Sequence, residues 1–500
     1  MKDWFPEALI YQINPRSLAA REPRNAFEAL LEAREGAPHE PPLAYIARHL
    51  HLLKDLGVTV IQMLPPFEIG QACRKGIGSF YAARDYHRVD PEHGTVADLA
   101  AVVTEAHRLG LRIIVDMVPN HTARDHTWIT ARPDYYVQAP DGTPAYDWDW
   151  SDTAKLDYRN PALRAAMSEV YAHWLSFAGG DGFDGFRIDM AHFINDRSFW
   201  DEAIPRLRAL HPRRDLLFLA ECYGIDNNLD LFRRGFNGAY DDELYKCCEF
   251  LYARDAAGGS HLRLSPDALQ HGGFAPVLAA FQAGGIAGAV RHCVESYLNA
   301  APTLPHPVHL ARYIDNHDEG RGLHRFGEGA ARAFSTLIHL LPGTIPFLLT
   351  GQEFGAVNRP SIHERFGLCD KGYRLVTETG ERKIEGIEFE GNLFARGPAA
   401  RKHWLKHYHR LAGLRLSHPE LTRGAWEWFD CGEAAAAPNR QVVSFLRRHA
   451  GSTLLCAVNL GTESRELAHP AFEQSKNLFG HDSVGLLPGF EATVRRLDPG

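Results

Sequence analysis

The sequence lacks several features that would place the chain in a special class of protein. Its formal net charge is −8 at pH 7, and no block of like charges is long enough to form a charged tail. A nucleic-acid partner, which needs a strongly basic surface, is therefore not expected. The eight cysteines show no spacing typical of a zinc site. We expect them to be reduced thiols, with Cys222 packed in the interior.

Signals for export or for membrane insertion are also not expected. The first residues, Met1–Pro6, show no basic stretch followed by an apolar core, which is the pattern of a secretory signal. We expect no membrane span, which needs about 18 apolar residues, and no membrane partner. Together with reduced thiols, these expectations favour a cytoplasmic location.

The size and composition are those of a globular protein with more than one structural unit. The chain has 500 residues, of which 45% are hydrophobic and 23% are charged. A barrel of about 250 residues, with insertions and a small second domain, would account for this length.

Short apolar segments alternate with helical segments over most of the sequence. This alternation predicts a parallel sheet with right-handed crossovers. Eight such strands predict an α/β fold of the closed (β/α)8 type, the TIM barrel. The predicted strands are Ala8–Ile13, Val58–Leu64, Leu111–Asp116, Phe183–Asp189, Leu216–Ala220, Phe236–Tyr240, Val308–Ile314 and Ile345–Leu349.

The spacing of the strands also predicts the domain limits. The third and fourth strands lie more than two units apart, where one unit is about 31 residues. The extra residues, 122–158, are rich in Trp, Tyr, Asp and Pro and predict a lid-like insert. After residue 417, short strands separated by turn residues predict an antiparallel β domain over 418–500. The catalytic barrel is then predicted over 1–121 and 159–417.

Three acidic residues lie at or beyond the ends of predicted strands. Asp189 is the last residue of the fourth strand, Glu221 follows the fifth and Asp318 lies beyond the seventh. The carboxyl ends of parallel barrel strands open onto one face, so we expect these carboxylates to lie close together. Cleavage of a glycosidic bond needs an acid/base and a partner carboxylate. The pattern therefore indicates glycoside hydrolysis.

The neighbours of these acids predict their ionisation. Arg187 lies two residues before Asp189 on the same strand, so both side chains share a face, and the arginine is expected to keep that carboxylate ionised. Glu221 follows five apolar residues, and burial is expected to raise its pKa, as a general acid requires. Taken singly, the first pair could equally be a structural ion pair, and a lone glutamate is more often a surface or capping residue.

Further polar and aromatic residues lie near the same strand ends. His121 and His317 could donate hydrogen bonds to sugar hydroxyls, and Tyr81 could stack on a sugar ring. Each of them alone is explained as well by backbone hydrogen bonding or local packing. The coincidence of polar clusters at four strand ends makes the functional interpretation specific.

Four segments of the sequence resemble the signatures of the α-amylase family of glycoside hydrolases, and the resemblance extends nearly from end to end. They are Asp116–His121, Gly185–His192, Phe218–Glu221 and Asn316–Asp318, and further similarity lies in Gly57–Pro65, Lys155–Asp157 and Gly343–Glu353.

The resemblance implies a role for each matching residue. Asp189 would be the nucleophile, Glu221 the acid/base, and Asp318 would hold ring hydroxyls and distort the sugar. The anomeric configuration would be retained, with the two reacting carboxyl groups about 5–5.5 Å apart. The residues that would bind the sugar are Tyr81, Asp116, His121, Arg187 and His317.

The sequence departs from the family pattern in two places. Calcium-binding members often carry a lysine-histidine pair where this chain has His192 and Phe193, and the insert is short. We therefore expect no calcium and no other cofactor, although Asn120 would permit a calcium site. Many α-glucosidases have an aspartate after the tyrosine that matches Tyr81, and this chain has Ala82, which argues against strict cleavage of terminal glucose.

The main hypothesis is a retaining hydrolase of α-1,4-linked glucans or maltooligosaccharides. A 4-α-glucanotransferase, a maltosyltransferase or an α-glucosidase stays open, because the balance between water and sugar acceptors depends on aromatics such as Tyr223, Trp128 and Trp150. A catalytically silent binding subunit would have lost one of the three acids. A metal-dependent barrel hydrolase would need clustered histidine ligands.

Overall fold

The computed structural model describes most of the chain. The long described ranges are 3–18, 41–270, 272–360, 401–431, 440–467, 475–482 and 485–497, and short pieces cover 362–363, 367–369, 375–378, 381–384, 393–394 and 472. The statements below concern these residues.

All eight predicted barrel strands are present. They pair in sequential order into a closed parallel barrel, in which the first strand contacts both the second and the eighth. Nearly every strand residue is buried, as expected when helices cover the outside of a parallel barrel. The strands are β1 Ile10–Ile13, β2 Val60–Met63, β3 Arg112–Met117, β4 Gly185–Ile188, β5 Leu217–Ala220, β6 Gly238–Tyr240, β7 His309–Arg312 and β8 Thr344–Leu349.

The helices lie between these strands. The predicted helix around residues 43–56 is divided at Leu50 into two. The principal helices are α1 Pro42–His49, α2 His51–Leu56, α3 Val96–Arg108, α4 Pro161–Leu175, α5 Ser198–Leu210, α6 Ile225–Arg233, α7 Asp242–Leu251, α8 Ala275–Leu298, α9 Gly322–Leu340 and α10 Lys402–Ser417, with short helices at Pro15–Leu18, Thr127–Ala131 and Pro419–Arg423.

Helix α3 shows how the local sequence fixes an element. Thr95 accepts a hydrogen bond from the backbone of Asp98, whose side chain accepts one from the Thr95 backbone, so the two residues form a capping box. Leu99, Val102, Val103 and Ala106 recur at helical spacing and are buried. The chain leaves the helix at Gly110, whose φ of 71° is costly for other residues.

The predicted insert folds as a small unit beside the barrel mouth. Its ends pair as antiparallel strands, His121–Ala123 with Thr153–Lys155. Four further antiparallel strand pairs lie among the described residues outside the barrel and the C-terminal domain. They are Phe67–Ile69 with Ala83–Val89, Tyr252–Arg254 with Ser260–Leu262, Asn358–Pro360 with Gly367–Cys369, and Leu375–Glu378 with Glu381–Ile384. The domain limits themselves stay predictions.

The C-terminal antiparallel β domain is confirmed. It is a five-stranded sheet in the order β9-β10-β11-β13-β12, beside a two-stranded sheet of Arg465–Glu466 and Leu486–Leu487. The sequence predicts four of these strands, at Ala425–Phe429, Gln441–Leu446, Thr453–Asn459 and Ala492–Leu497, but it does not predict β12. Its sequence, Ser475–Gly480, contains Lys, Asn and Gly, and its pairing with β13 is irregular at Asn477. The strands are β9 Ala425–Trp428, β10 Val442–His449, β11 Ser452–Asn459, β12 Ser475–Gly480 and β13 Ala492–Leu497.

One helix contradicts the expectation that no segment is long and apolar enough to span a membrane. Residues 272–303 contain an 18-residue window of mean hydropathy 1.5, of which 33% is buried. Length and composition alone would also admit a core helix of a globular protein. Here α8 breaks its regular geometry at Gly285 and packs against α7 and β10.

Seven cysteines are free thiols: Cys73, Cys222, Cys247, Cys248, Cys293, Cys431 and Cys456. Cys222 is buried, and burial raises the pKa of its thiol, which makes it unreactive. Cys73 is exposed.

Candidate active site

The barrel backbone itself holds Arg187 and three carboxylates, Asp116, Asp189 and Glu221, at the carboxyl face. Asp116 in β3 pairs in register with Arg187 in β4. The hydrogen bonding continues past the strand ends, because the Asp189 N–H donates to the Met117 carbonyl at 2.9 Å and the Glu221 N–H to the Ile188 carbonyl at 3.0 Å. These carboxylates therefore sit on rigid backbone.

Arg187 lies at the centre of the site and binds three carboxylates. Its Nη1 donates to Asp116 Oδ1 at 2.8 Å and to Asp189 Oδ1 at 3.0 Å. Its Nη2 lies 2.9 Å from Glu221 Oε1. The guanidinium is fully buried, so these charges interact with little screening by water. The structure thus brings together Asp116, Asp189, Glu221 and Arg187, as predicted.

The ionisation of Asp189 differs from the expectation. Burial raises the pKa of this carboxyl well above its usual value, and the charge of Glu221 raises it further. Arg187 offsets these effects only in part, because its charge is shared among three carboxylates. Burial also raises the pKa of Asp116, to about 7, against the lowering effect of Arg187.

The expectation of a raised pKa at Glu221 is wrong for the free site. Burial by itself would raise that pKa, but the Arg187 guanidinium and the Met190 backbone N–H outweigh it and lower the pKa. The Met190 N–H donates to Glu221 Oε2 at 2.9 Å, and the Tyr223 hydroxyl donates to Oε1 at 2.9 Å. In the sequence Glu221 follows an apolar run, but Arg187 and Met190 come from β4 and the loop after it, and only Tyr223 is a neighbour in the chain.

Tyr81 and His317 form one edge of the site. The Tyr81 hydroxyl lies 2.5 Å from His317 Nε2 and donates to Asp116 Oδ2 at 3.0 Å, and the two rings are stacked. The His317 ring is braced at Nδ1 by the amide of Gln12, 3.0 Å away. Burial lowers the pKa of His317 to about 3, so the ring is neutral at physiological pH. Sequence reasoning did not find Gln12, whose position in β1 gives no signal of its contact with a residue beyond β7.

His121 lies behind Tyr81. Its ring hydrogen-bonds to the Tyr81 backbone and packs against Trp150, with ring centroids 5.3 Å apart. Burial lowers the pKa of His121 to about 4. It is thus placed to position Tyr81.

Asp318 is the most accessible of the three acids, with 43% of its side chain exposed. Its Oδ2 lies 3.1 Å from His317 Nε2. Hydrogen bonds fix both backbone groups of Asp318: its N–H donates to Asn316 Oδ1, and its carbonyl accepts from Arg359 Nη1. The carboxylate therefore faces the opening of the site from a fixed loop.

An aromatic surface lies beside the site. Trp148 is 57% exposed and packs against Trp150 and Phe193, with ring centroids 4.4 and 4.5 Å away. Its φ of 48° is unusual for a residue with a large side chain. Trp148 was not singled out from the sequence, although the aromatic-rich insert contained the signal. Trp128 does not join this surface and packs instead against Tyr86, His126 and Tyr135.

Lys155 lies close to Asn120, the residue that would permit a calcium site. Asn120 Nδ2 donates to Asp147 Oδ2 at 2.9 Å, and Lys155 Nζ donates to Asp147 Oδ1 at 2.6 Å. The ammonium group thus supplies the positive charge that this carboxylate needs. Among the described residues, no group of three or more His, Cys, Asp or Glu side chains is arranged to hold a metal ion.

A closed (β/α)8 barrel with a carboxylate cluster on its carboxyl face defines a barrel enzyme that works at that face. The sequence profile "Alpha amylase, catalytic domain" matches residues 12–214. Maltase 1 of Drosophila virilis is 26% identical over 93% of this chain and 80% of its own length. The oligo-1,6-glucosidase of Halalkalibacterium halodurans is 24% identical over 94% of this chain and 92% of its own. The chain is thus similar to the α-amylase family of glycoside hydrolases.

A solved structure shows the same fold. The crystal structure of an Anoxybacillus α-amylase covers 100% of this chain and 99% of its own, with a TM-score of 0.70 at 19% identity. The overall architecture predicted from the sequence, a (β/α)8 barrel with a C-terminal β domain, is therefore confirmed.

Proposed function

We propose that the enzyme hydrolyses α-1,4-linked glucans or maltooligosaccharides by double displacement, with retention of the anomeric configuration. One observation carries this proposal. The two nitrogens of a single guanidinium, Arg187 Nη1 and Nη2, bind Asp189 and Glu221 respectively. A shared guanidinium brings the two carboxyl groups close to each other, which suits the short separation of retaining enzymes, about 5–5.5 Å, better than the wider gap of inverting ones.

Each acid has a part in the proposed reaction. Asp189 attacks the anomeric carbon and forms a glycosyl-enzyme ester, while Glu221 gives a proton to the departing glycosidic oxygen. Water then gives a proton to Glu221 and attacks the same carbon, which releases Asp189. Asp318, exposed at the opening, accepts hydrogen bonds from ring hydroxyls.

The proposed reaction requires a proton on Glu221 and a charge on Asp189. In the free site the pKa directions favour the opposite distribution. The two carboxyls titrate as a coupled pair through Arg187, so one proton can pass between them without a change in total charge. Substrate binding therefore has to move this proton to Glu221 before the bond is cleaved.

The side chains around Tyr81 would hold the reacting sugar. Tyr81 offers a ring face, and His317, Asp116 and Arg187 offer hydrogen-bonding groups around it. His121 would support Tyr81 from behind. Because His317 is neutral over the physiological range, its contribution to sugar binding does not change with pH there.

An α-glucosidase is the second candidate. The relatives described as Maltase 1 and oligo-1,6-glucosidase favour it. Ala82, which follows Tyr81, argues against it, because this residue is not the aspartate expected in enzymes that cleave only terminal glucose. The exposed Trp148 surface, suited to stacking on a longer glucan chain, supports the main proposal and also permits sugar acceptors in place of water.

We further propose that the enzyme needs no calcium. The reason is the ion pair of Lys155 with Asp147, both largely buried, at the place where a cation would otherwise be bound. The proposal of a cytoplasmic location rests on the sequence alone.

A time course with maltotetraose tests the main proposal. Products are separated by chain length, and the anomeric form of the first product is read by NMR before it equilibrates. Shorter sugars released as α-anomers are expected. Glucose released one unit at a time would favour the α-glucosidase, and products longer than the substrate would favour a transferase. A β-anomer as first product would contradict the retaining mechanism.

A further inference from the structure

Gln12 is a fully buried polar residue in the wall of the active site. It lies in β1 and pairs in register with Gln62 of β2, so the two side chains share one face of the barrel wall. Its backbone carbonyl accepts a hydrogen bond from the Thr350 N–H at 3.2 Å, which ties β1 to the residue after β8. Its side-chain Nε2 lies 3.0 Å from Nδ1 of His317. A buried amide is costly unless it makes such bonds, so this contact is a specific feature of the site.

The surroundings of the other ring nitrogen show where the single proton of the neutral His317 ring lies. His317 Nε2 is 2.5 Å from the Tyr81 hydroxyl oxygen and 3.1 Å from Asp318 Oδ2. Tyr81 donates its own proton to Asp116 Oδ2, so the tyrosine oxygen and the Asp318 carboxylate both present lone pairs to Nε2. Nε2 therefore carries the ring proton. The unprotonated Nδ1 needs a donor, which is the amide N–H of Gln12.

The opposite arrangement of protons satisfies fewer groups. With the proton on Nδ1, the Gln12 amide would turn its oxygen to the ring, and Tyr81 would donate to Nε2. Asp116 Oδ2 would then lose its donor, and Asp318 Oδ2 would face a nitrogen without a proton. The arrangement with the proton on Nε2 leaves Gln12 Oε1 without a partner, which is one acceptor against two. Because acceptors without donors are costly, the proton on Nε2 is favoured.

The position of this proton matters for the recognition of a sugar. With the proton on Nε2 of His317, a donor and the acceptor Oδ2 of Asp318 lie 3.1 Å apart. A sugar hydroxyl both accepts and donates, so it can bind the two groups at once. With the proton on Nδ1, both groups would be acceptors, and one hydroxyl could donate to only one of them.

We propose that Gln12 is a positioning residue: through its hydrogen bond to Nδ1, it holds the His317 ring with the Nε2 proton directed toward the reacting sugar. The inference rests on the proposed function, because it takes a sugar as the ligand of His317. Gln12 is fully buried behind the ring, so it does not touch the substrate, and its effect on turnover passes through His317.

Gln12→Met and Gln62→Met are a matched pair of variants. Each removes a fully buried amide from the same face of neighbouring strands. The side chain of Gln62 has no hydrogen-bond partner among the described residues, so its replacement tests the effect of packing alone. Methionine is also unbranched and flexible, but it has no hydrogen-bond donor.

The first experiment observes the ring by nitrogen NMR of protein with isotope-labelled histidine, in which the spectrum of His317→Ala identifies the two His317 signals. In the wild type and in Gln62→Met we expect a protonated Nε2 and an unprotonated Nδ1. In Gln12→Met the Nδ1 signal should move to the position of a nitrogen without a hydrogen bond. Gln12→Leu, which also lacks a donor, should show the same displacement if Gln12→Met does not fold. A proton on Nδ1 in the wild type, or an unchanged Nδ1 signal in the Gln12 variants, would overturn the proposal.

The second experiment tests whether Gln12 acts through His317. Gln12→Met should lower kcat/KM for maltotetraose about tenfold, mainly through kcat, because the ring is less well placed in the transition state. Gln62→Met should keep the wild-type value. In the His317→Ala background, Gln12→Met should cause no further loss, since the effects of residues that act as one unit do not add. An equal loss in both backgrounds, or none in either, would contradict the proposal.

The two experiments separate this inference from the proposed function. If the wild-type enzyme cleaves no α-glucan, the proposed function fails. The NMR experiment needs no turnover, so it still decides where the His317 proton lies and whether Gln12 binds Nδ1.

Discussion

Arg187 determines the chemistry of the site more than any other single residue. It is fully buried and binds Asp116, Asp189 and Glu221 at 2.8–3.0 Å. The cost of burying its charge is recovered only because the three carboxylates surround it. The distribution of protons among these acids therefore follows from the position of one guanidinium, and a description of each acid by itself would miss it.

Replacement of the proposed nucleophile gives the most direct prediction at this scale. Asp189→Asn should lower kcat by about 10³-fold or more, because the amide cannot form the glycosyl ester, and each tenfold is about 1.4 kcal/mol of barrier. The fold and sugar binding should persist, since the change is nearly isosteric. Turnover of maltotetraose and the thermal midpoint are the measurements. Asp181→Asn, on the exposed loop before β4, is the control and should be fully active. Substantial turnover by Asp189→Asn would refute its assignment.

Tyr223 gives a prediction on pH dependence. Its hydroxyl donates to Glu221 and helps to lower the pKa of that carboxyl. Tyr223→Phe should therefore raise the Glu221 pKa, and Glu221 should hold a larger share of the proton that it shares with Asp189, up to higher pH. The alkaline limb of the kcat/KM profile should move upward by about one unit, which corresponds to about 1.4 kcal/mol for the lost hydrogen bond. A downward shift of that limb, or none, would show that the limb does not report Glu221. Tyr245→Phe, which removes a hydroxyl bound to Glu319 instead, should leave the limb in place.

At the scale of elements, the insert is held to the barrel by polar contacts as well as by packing. Lys155, at the end of its second strand, pairs with Asp147, and its amine lies 5.4 Å from the Phe193 ring centroid. Phe193 follows β4 and packs against Trp148 of the insert. One lysine thus connects the insert, the loop after the nucleophile and the aromatic surface.

Removal of this ammonium should loosen the insert. Lys155→Met leaves Asp147 largely buried with only the Asn120 amide as a donor, and we expect a loss of about 1–3 kcal/mol of stability. Urea unfolding measures this change, and Lys54→Met, at an exposed position of α2, is the control.

The wild-type enzyme should keep its activity after dialysis against EDTA. Loss of activity on chelation, restored by calcium, would contradict the proposal that no metal is needed.

The sequence predicts the elements better than the contacts between them. Most of the barrel strands follow from apolar runs, because a strand covered on both faces is largely apolar, whereas Phe236–Tyr240 is a weaker run that contains Asn237 and Gly238. Strand β12 was not predicted, because its Lys, Asn and Gly residues do not form such a run. Gln12 was missed for another reason: its partner His317 is remote in sequence, and only barrel closure brings the two together.

The site residues were predicted more completely than their ionisation. The position of Glu221 after a strand is a local property, and the structure places it as expected next to Asp189 through Arg187. Its lowered pKa depends on Arg187, Met190 and Tyr223, two of them in other parts of the barrel, so the sequence next to Glu221 could not reveal it. The catalytic roles of the acids stay predictions until they are tested.

At the scale of the whole molecule, buried arginines connect the C-terminal sheet and the last barrel helix, α10, to the rest of the barrel. Arg447 in β10 donates from Nη1 to the Leu340 carbonyl, the last of α9, at 2.9 Å. Arg415 at the end of α10 donates to the carbonyls of Pro6, His339 and Thr344. The carbonyls of His339 and Leu340 lie at the carboxyl end of α9, where positive charge is favourable.

Arg447 allows this connection to be tested without touching the active site. Arg447→Met should lower stability by about 1–3 kcal/mol, because the α9 carbonyl loses its charged donor. The values of kcat and KM of the folded enzyme should stay the same. Thermal unfolding and steady-state kinetics are the measurements. The neighbouring Arg448→Met is the control, since Arg448 is exposed and pairs only with the exposed Glu427. Equal unfolding temperatures for both variants would show that the carbonyl contact adds nothing.

The closure of the barrel has a consequence for biosynthesis. Strand β1 pairs with β8 through Ile10 and Phe347, so the first strand has a free edge until the ribosome has made the last. At translation rates of about 5–20 residues per second, this delay is roughly 20–70 s. For that time the nascent chain presents an unpaired apolar strand, which is a site for aggregation or for chaperone binding. Chains that stop before β8 would keep this edge permanently and should be found with chaperones or in aggregates.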